Sequence, residues 1–335
     1  MSPQFVDMNA DGHIDILTAI FDGSPHIAYG TPTGFEQPVR LKDAAGKRLI
    51  ITSFWNYEDE EHQVSERAML DPTGDSERCI SALAFDWDAD GDYDLLLGSY
   101  ENGHLYRQMN EGTNAKPKFT GQNIPVMAGA DPFAVPGKMT SPRLVDWDGD
   151  GDLDLIAGSF GDSYGDGVGG AVYLFLNVGS KGQPDFNSPD VLISPSPKGH
   201  KQPTRPDAGL YVDAVDYDKD GDLDLVVGAY SMWQADAREL SAQEQDQLTE
   251  LTRELAGLQE ELNTRREALA KQVAAVTAGL DRKSDEYKQK AAPLNSAFRK
   301  DNKAPTNRQQ LLRKQIDTLV PSAQRQTFVW LYERL

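Results

Sequence analysis

Short apolar runs separated by polar turns recur along the first two thirds of the chain. Runs such as "ISALAF", "LLLGSY", "LIAGSF" and "LVVGAY" are rich in aliphatic residues and bounded by glycine or aspartate, as is typical of β-strands. Two such runs flank each aspartate-rich stretch. A third run follows a glycine-bearing turn, as in "GHLYRQMN" and "GAVYLFLN", and a weaker fourth run follows in three places, as in "DVLIS". The pattern predicts units of four short antiparallel strands.

One unit of this kind occurs four times. The stretches "DMNADGHIDIL", "DWDADGDYDLL", "DWDGDGDLDLI" and "DYDKDGDLDLV" begin at Asp7, Asp86, Asp146 and Asp216, at intervals of 60 to 79 residues. Solenoid repeats are usually shorter, whereas a propeller blade consists of four antiparallel strands. We therefore predict a mainly β fold, a β-propeller with one blade for each repeat. Both a closed four-bladed ring and an incomplete ring fit four repeats.

The aspartate-rich stretches have the pattern of metal-binding loops. In D-x-D-x-D-G-x-x-D, the side chains at the first, third and fifth positions can converge on one point. Glycine at the sixth position allows a sharp turn, the backbone carbonyl of the seventh adds an oxygen, and the ninth acid closes the site. The predicted metal-site residues are Asp7, Asn9, Asp11, His13, Asp15, Asp86, Asp88, Asp90, Asp92, Asp94, Asp146, Asp148, Asp150, Asp152, Asp154, Asp216, Asp218, Asp220, Asp222 and Asp224.

Calcium is the predicted occupant of these loops, with about four ions for the four loops. Ca²⁺ takes six to eight oxygen ligands in flexible geometry, whereas Mg²⁺ retains its waters and Zn²⁺ prefers nitrogen and sulfur. A single loop of this kind would also fit a solvated Asp-Gly turn between strands. Four copies with matched flanks favour the metal. The first loop is the weakest because Asn9 replaces an acid and His13 occupies the seventh position, although Asn9 still offers a carbonyl oxygen and His13 need contribute only its backbone.

Composition and charge narrow the classes of function. The formal net charge of −20 arises in residues 1–235, which carry a net −22, whereas residues 236–335 carry +2. This negative surface argues against a nucleic-acid partner, since nucleic-acid binding depends on Lys and Arg at phosphates. The sequence has no apolar run long enough for a membrane span and shows no signal-peptide pattern at its start. The single cysteine, Cys79, excludes an internal disulfide.

A helical segment interrupts the β pattern at residues 236–325, which are rich in helix-forming residues. Ser241 and Glu244 form a predicted capping box, and a helix of about 38 residues follows with a leucine seam at heptad spacing. The chain is expected to return through 284–300 and 307–320, with Pro293 and Pro305 bending or breaking its path. Apolar residues of the return expected to cover the seam are Leu294, Phe298, Leu311, Leu312, Ile316 and Leu319.

This helical coiled-coil hairpin is predicted to be an insertion. The final stretch "QTFVWLYERL" is similar to the third strand of earlier units, and the fourth unit otherwise lacks such a strand. The predicted domains are therefore a propeller at 1–235 plus 326–335 and a helical hairpin at 236–325. Packing between the helical arms of one chain is favoured, and self-association through helices 241–320 is the alternative.

The stretches "VDWDGDGDLDLIAGSF" and "VDYDKDGDLDLVVGAY" resemble the FG-GAP and VCBS repeat family. The resemblance covers residues 1 to about 235. It implies a calcium-binding propeller like that of integrin α-subunits and of many bacterial exported proteins. The family includes adhesins, scaffolds and non-catalytic modules of carbohydrate-active proteins, so the resemblance is specific for the blade and the metal loop and not for an activity.

No catalytic motif emerges from the sequence. The five histidines have no metal-ligand spacing, and the chain has no nucleophile elbow, phosphate loop or dinucleotide fingerprint. The leading hypothesis is a non-catalytic calcium-binding module outside the cytoplasm that recognises or scaffolds a protein or carbohydrate ligand. The alternatives are a polysaccharide-acting enzyme or enzyme subunit with structural calcium, and an assembly protein that oligomerises through its helical arm.

Three further features of the sequence are aromatic or glycine-rich. Trp87, Trp147 and Tyr217 occupy the second loop position and are expected to pack between blades. "SFWNYEDEEH", from Ser53, is expected to be an exposed connection, with a ligand loop as the alternative. "GSFGDSYGDGVGG", from Gly158, is an acidic, flexible stretch for which a further cation site is the weaker interpretation.

Overall fold

The structure is a computed structural model, and it describes residues 3–64, 76–161, 168–196, 205–233, 238–282, 284–322 and 324–334. Contacts within the chain divide it into two compact units. One unit comprises Met1–Trp233 together with Arg325–Leu335, and the other comprises Gln234–Gln324. The first is built of antiparallel β-sheets and the second of α-helices.

The strands of the β unit are short. In chain order they are β1 (Gln4–Val6), β2 (Asp15–Ile20), β3 (Ser24–Ala28), β4 (Gly30–Thr31), β5 (Gly34–Phe35), β6 (Val39–Arg40), β7 (Ser53–Asn56), β8 (Glu61–Val64), β9 (Cys79–Phe85), β10 (Asp94–Ser99), β11 (Leu105–Gln108), β12 (Ile124–Pro125), β13 (Met127–Ala128), β14 (Asp131–Pro132), β15 (Met139–Val145), β16 (Asp154–Ser159), β17 (Val172–Phe175), β18 (Asp190–Ile193), β19 (Ala208–Val215), β20 (Asp224–Trp233) and β21 (Gln324–Tyr332).

Four sheets of three or four strands contain the repeats. Sheet one has the order β1-β2-β3-β6, sheet two β12-β11-β10-β9, sheet three β15-β16-β17-β18 and sheet four β19-β20-β21. The first three match the predicted four-stranded unit, although β6 and β12 are only two residues long. Sheet four has three strands among the described residues, and its third strand is the C-terminal segment of the chain. The pairs β4-β5, β7-β8 and β13-β14 form separate hairpins.

The same register closes the acidic loop in every sheet. The residue before the loop pairs with the ninth loop residue, as Val6 with Asp15, Phe85 with Asp94, Val145 with Asp154 and Val215 with Asp224. A one-residue slip would turn every following side chain to the opposite face of the sheet. Because the register is the same in all four sheets, equivalent residues of the four second strands face in the same direction.

The core lies between successive sheets, and the second strand of a sheet contributes to two layers. Leu95 and Leu97 of β10 pack in a cluster with Leu17 of sheet one, whereas Leu96 packs in a cluster with Leu155 of sheet three. Successive strand residues point to opposite faces. The continuous apolar run in each second strand is thus explained by a sheet on either side, as the third cluster between sheets three and four also shows.

The aromatic residues of the second loop position follow this packing. Trp87 is buried in the cluster between sheets two and three, and Trp147 packs against the cluster between sheets three and four. The expectation of packing between blades is confirmed for these two. It is wrong for Tyr217, which is 62% exposed, because the described part of the chain places no sheet beyond sheet four at this position.

The helical unit consists of α1 (Ala242–Val276), α2 (Asp285–Asp301) and α3 (Lys303–Leu319) in the described residues. The capping box of Ser241 and Glu244 is confirmed, with both hydrogen bonds present. The helical path is interrupted at Asn302, between α2 and α3, rather than at a proline. Helix α2 continues through Pro293. Pro305 lies in the first turn of α3, where its missing N–H is tolerated.

An apolar cluster holds α1 against α3. Leu251, Leu312 and Leu319 are buried, and Leu255 and Ile316 pack against them. The prediction that Leu311 covers the seam is wrong. Its side chain is 47% exposed, because Leu312 takes the inward position on α3. Among the described residues, no helix is both long enough and apolar enough to cross a membrane.

Candidate metal centre

The four acidic loops share one backbone conformation. Loop one spans 7–15, loop two 86–94, loop three 146–154 and loop four 216–224. The fourth residue has a positive φ in each, at Ala10 (56°), Ala89 (59°), Gly149 (78°) and Lys219 (67°), and the sixth is a glycine with φ between 90° and 105°. A left-handed residue that is not glycine costs about 1 kcal/mol or more. Three loops accept this cost, so the rest of the loop holds the turn in place.

The first acid anchors the turn in loops one to three. In loop three, the Asp146 carboxylate accepts hydrogen bonds from the backbone N–H groups of Gly149 (2.8 Å) and Gly151 (3.2 Å). In loop one, the Asp7 carboxylate accepts from the N–H groups of Asp11 (3.0 Å) and Gly12 (2.9 Å). These bonds wrap the backbone around the carboxylate, and the following acids are directed toward it.

Carboxylates converge in loops two, three and four. One oxygen from each of three acids lies within 4.8 Å of the others in the groups Asp86–Asp88–Asp90, Asp146–Asp148–Asp154 and Asp216–Asp218–Asp224. Loop two thus brings together its first, third and fifth positions, whereas loops three and four bring together the first, third and ninth. Three carboxylates this close repel one another unless a cation lies between them. The groups could each hold a metal ion.

Buried carboxylate oxygens without a donor support this fit. Oδ1 of Asp86 and Asp92 in loop two, and Oδ1 of Asp216 and Asp222 in loop four, are inaccessible to solvent and receive no hydrogen bond within the described structure. An unpaired buried acceptor costs about 1–3 kcal/mol, and more when it is charged. A cation bound by these oxygens would remove that cost, and hard oxygen donors of this kind suit Ca²⁺.

Electrostatics inside loop two point the same way. Burial raises the pKa of Asp92, and the carboxylates of Asp90, Asp88 and Asp86 raise it further. Burial also raises the pKa of Asp94, to about 6, although two backbone N–H groups oppose this shift. The neighbouring acids therefore disfavour each other's charged forms, which is the balance that a bound cation reverses.

The ninth acid has a second role that the sequence pattern did not reveal. In loop three, Oδ2 of Asp154 accepts the N–H of Trp147 (2.8 Å), and Oδ1 accepts the N–H of Asn177 (2.8 Å) at the end of β17. The ninth acids are almost wholly buried. Each ties its loop to the end of the third strand of its own sheet, and a carboxylate oxygen that accepts one hydrogen bond retains a lone pair for a cation.

The same tie occurs in every sheet. The donors at the end of the third strand are Gly30, Asn110, Asn177 and Arg334, and the donors at the second loop position are Met8, Trp87, Trp147 and Tyr217. Arg334 follows β21, which places the C-terminal segment in the role that β11 and β17 have in sheets two and three.

Asparagines after the third strand also support the loops, and sequence reasoning missed them. Oδ1 of Asn110 accepts the N–H groups of Gly112 and Lys118, and Oδ1 of Asn177 accepts those of Gly179 and Asp185. The signal was the N-x-G that ends both third-strand runs, "QMNEG" and "FLNVG". An Asn before a glycine turn hydrogen-bonds the backbone that follows.

Loop one departs from the other three. Nδ2 of Asn9 donates to Oδ2 of Asp11 (2.9 Å), so the amide takes up part of the carboxylate that a cation would use. The N–H of His13 donates to Oδ1 of Asp11 (2.9 Å). The expectation that loop one is the weakest metal site stays a prediction, and Asn9 provides its physical reason.

The two other stretches singled out in the sequence lie apart from these loops. Residues 53–64 form the hairpin β7-β8, in which the rings of Trp55 and His62 meet edge to face at 4.9 Å. Residues 162–167 of the glycine-rich stretch lie outside the described residues, so the further cation site suggested there is not addressed by the structure.

We predict that Asp154→Ala lowers the free energy of unfolding by about 2–5 kcal/mol, because two buried N–H groups lose their acceptor. Urea denaturation followed by tryptophan fluorescence, in the presence of a chelator, measures this loss without any contribution from metal. The matched control is Asp148→Ala, an exposed acid of the same loop, which should change stability by about 0.5 kcal/mol or less. Equal losses in the two variants would contradict the role assigned to Asp154.

Comparison with known proteins agrees with the repeated sheets and acidic loops. The chain carries repeated antiparallel sheets, and in each sheet an acidic, metal-type loop connects two neighbouring strands. The family model described as FG-GAP-like repeat matches residues 86–157 and 146–227. These residues therefore belong to the FG-GAP-like repeat family, and the resemblance found in the sequence is confirmed for them. Each match starts at the first acid of one loop and ends just beyond the next loop. A search of curated proteins found no match.

Proposed function

We propose that the β unit is a calcium-stabilised, propeller-type recognition or scaffolding module without catalytic activity, and that it works outside the cytoplasm. The observation that carries the calcium assignment is the pairing of converged carboxylates with buried oxygens that have no donor. The family match supports a propeller-type module over the matched residues. The predicted protein or carbohydrate ligand follows from the family resemblance and remains part of the proposal.

Calcium in this proposal has a structural role. The ninth acid joins each loop to the third strand of its sheet, and the first acid holds the turn. A cation that neutralises the loop would therefore stabilise the hairpin and the strand end together. Trp87 and Trp147 extend this coupling to the core, because they follow the first acid directly and pack between sheets.

The location outside the cytoplasm is proposed from the chemistry of the loops. They are open and acidic, with third-position acids exposed to solvent, and each lacks the bidentate glutamate that closes a high-affinity calcium loop. Such sites suit dissociation constants of about 10⁻⁴–10⁻³ M, which match the calcium concentration outside cells.

We predict that isothermal titration calorimetry detects at least three calcium sites with dissociation constants of about 10⁻⁴–10⁻³ M. Magnesium at the same concentrations should compete weakly, since it retains its waters. The control is the triple variant Asp88→Asn, Asp148→Asn and Asp218→Asn, which removes one carboxylate from each converged group and keeps the amide oxygen. Submicromolar affinity would contradict the location, and the absence of calcium binding would contradict the module itself.

A further inference from the structure

The sheets of the β unit join through equivalent positions. The residue ten places after the first loop acid faces the following sheet: Leu17 of sheet one, Leu96 of sheet two and Ile156 of sheet three all belong to the cluster shared with the next sheet. The residues on either side of it face the preceding sheet, as Leu95 and Leu97 do. We call the face of a sheet that contacts the following sheet its leading face, and the face that contacts the preceding sheet its trailing face. In sheets two and three both faces are buried.

Sheet four has a leading face with no sheet against it in the described structure. Leu210 and Val212 of β19 pack toward sheet three, so Tyr211 and Val215 point the other way. They are 39% and 44% exposed. Val226, the equivalent of Leu17, is partly exposed. The apolar residues of the leading face of sheet four are Tyr211, Val215, Val226, Val329 and Leu331, and the charged residues Asp213 and Arg325 lie on the same side of the sheet.

The C-terminal strand enlarges this face. Trp330 and Tyr332 of β21 pack against the cluster shared with sheet three, so Val329 and Leu331 lie on the opposite side. Val329 is 76% exposed and Leu331 is 38% exposed. Several exposed apolar side chains grouped on one side of a sheet are uncommon on a surface that stays in water, and apolar patches rimmed by polar residues typically mark interaction sites.

A glycine on this face gives an independent sign of a docking partner. Gly98 and Gly158 occupy equivalent positions in sheets two and three. A Cβ added at Gly158 would lie 2.0 Å from the backbone oxygen of Leu210 in the following sheet, whereas one added at Gly98 would meet Oγ of Ser81 in its own sheet first, at 2.0 Å, and the end of the Met139 side chain of the following sheet at 2.9 Å. At Gly158, close approach of the next first strand thus requires glycine. Gly228 is the equivalent in sheet four, and its nearest atoms, from Tyr211 of its own sheet, lie at 3.8 and 4.0 Å.

Glycine inside a strand weakens the strand and typically marks a place where another backbone comes close. Within the described residues, no atom of another sheet comes within 4 Å of the position that a Cβ on Gly228 would take. Gly228 is therefore consistent with a contact between sheet four and a further sheet that the described residues do not supply.

The trailing face of sheet one is open in the same way. Val6 packs into the cluster with sheet two, so Phe5 points away from that cluster and is 63% exposed. Ile14 is also exposed. Ile16 is partly exposed and is the equivalent of Leu95, which in sheet two packs against the preceding sheet. The trailing face of sheet one comprises Phe5, Ile14 and Ile16.

We propose that the leading face of sheet four binds the trailing face of sheet one of a second copy of this chain. Within the chain, the leading face of one sheet packs on the trailing face of the next at three places: between sheets one and two, two and three, and three and four. Sheet one of a second copy supplies a trailing face of the same repeat type. Contact of this kind is head-to-tail and closes into a ring if the rotation permits. Two copies bring eight sheets together, within the range of four to eight that propellers typically have.

Sedimentation velocity over a range of protein concentrations, with calcium present, tests this proposal. The wild-type chain is expected to self-associate. Val329→Glu and Gly228→Val should each raise the dissociation constant about tenfold or more, because the first buries a charge in the join and the second fills the space that the approaching strand needs. Gly228→Val has room within its own sheet and suits a strand, so its melting temperature should not fall.

The polarity of the contact separates it from other modes of association. Phe5→Glu alone and Val329→Glu alone should each be largely monomeric, and mixing them should restore a dimer with one intact join. The matched control, Val178→Glu, places the same charge at a residue that is 65% exposed in the connection after β17, and it should associate like wild type. A wild-type chain that stays monomeric at every concentration overturns the proposal, and so does undiminished self-association of Phe5→Glu. Calcium binding is measured separately, so failure here leaves the metal proposal standing.

Discussion

Saturating calcium is expected to raise the melting temperature of the β unit by on the order of 20 °C relative to the same protein in excess chelator. A ligand at one hundred times its dissociation constant stabilises the folded state by about 2.7 kcal/mol per site, so three independent sites contribute about 8 kcal/mol. About 1 kcal/mol shifts the melting temperature of a domain this size by about 2–4 °C. The converged acids and donor-less oxygens of the loops provide the sites.

Tryptophan fluorescence is a selective measurement for this shift. All five tryptophans of the chain lie within the β unit, so melting of the helical unit does not contribute to the signal. The triple variant Asp88→Asn, Asp148→Asn and Asp218→Asn is the matched control. It should lose most of the calcium effect, yet in chelator it should be at least as stable as wild type, because one like charge has left each group. A wild-type melting temperature that responds to neither calcium nor chelator would falsify the calcium assignment.

Ending the chain after Trp233 is expected to lower the free energy of unfolding of the β unit by about 5 kcal/mol or more, a loss comparable to the whole stability of many domains. The truncation removes β21, whose Trp330 and Tyr332 pack against the core between sheets three and four. It also removes the N–H of Arg334, which donates to the buried carboxylate of Asp224 (3.0 Å). Urea denaturation followed by fluorescence of the remaining tryptophans measures the loss.

A second variant separates loss of the strand from loss of the helices. Strands β20 and β21 are neighbours in sheet four and successive strands of the β unit, so a short Gly-Asn turn is designed to replace residues 234–323 and connect them directly. This variant retains β21 and should keep near wild-type stability and calcium binding. Full stability of the chain ending at Trp233 would show that β21 is dispensable, and the proposal of an inserted helical hairpin would then fail.

The acidic loops were predictable because their chemistry is local. Side-chain alternation and a glycine at the sixth position are visible in nine residues, and the structure gives all four loops the same two positive-φ positions. The start of α1 was equally local, since Ser241 and Glu244 satisfy each other's backbone within one turn. Which residues of each loop bind the metal stays a prediction. The convergence of three acids in each of loops two to four was foreseeable from their spacing alone.

Features that depend on distant parts of the chain were not predictable in this way. The donors to Asp154 come from Trp147 within the loop and from Asn177 across the sheet, and nothing in the spacing of D-x-D-x-D-G reveals the second. Tyr217 has the same loop position as Trp87, yet one is exposed and the other buried, because burial depends on which sheet lies beyond. Pro293 similarly stays within α2, although its residue type favours a helix end.

The sequence by itself determined the four repeats, the acidic hairpin loops and the helix-forming segment, because period-two alternation, glycine turns and capping boxes act over a few residues. Tertiary structure decided how those pieces combine. It brought the C-terminal strand to sheet four, tied each ninth acid to a third strand, and left one leading and one trailing face open in the described chain. Strand pairing and sheet packing join residues far apart in the chain, and a single sequence carries no direct record of those contacts.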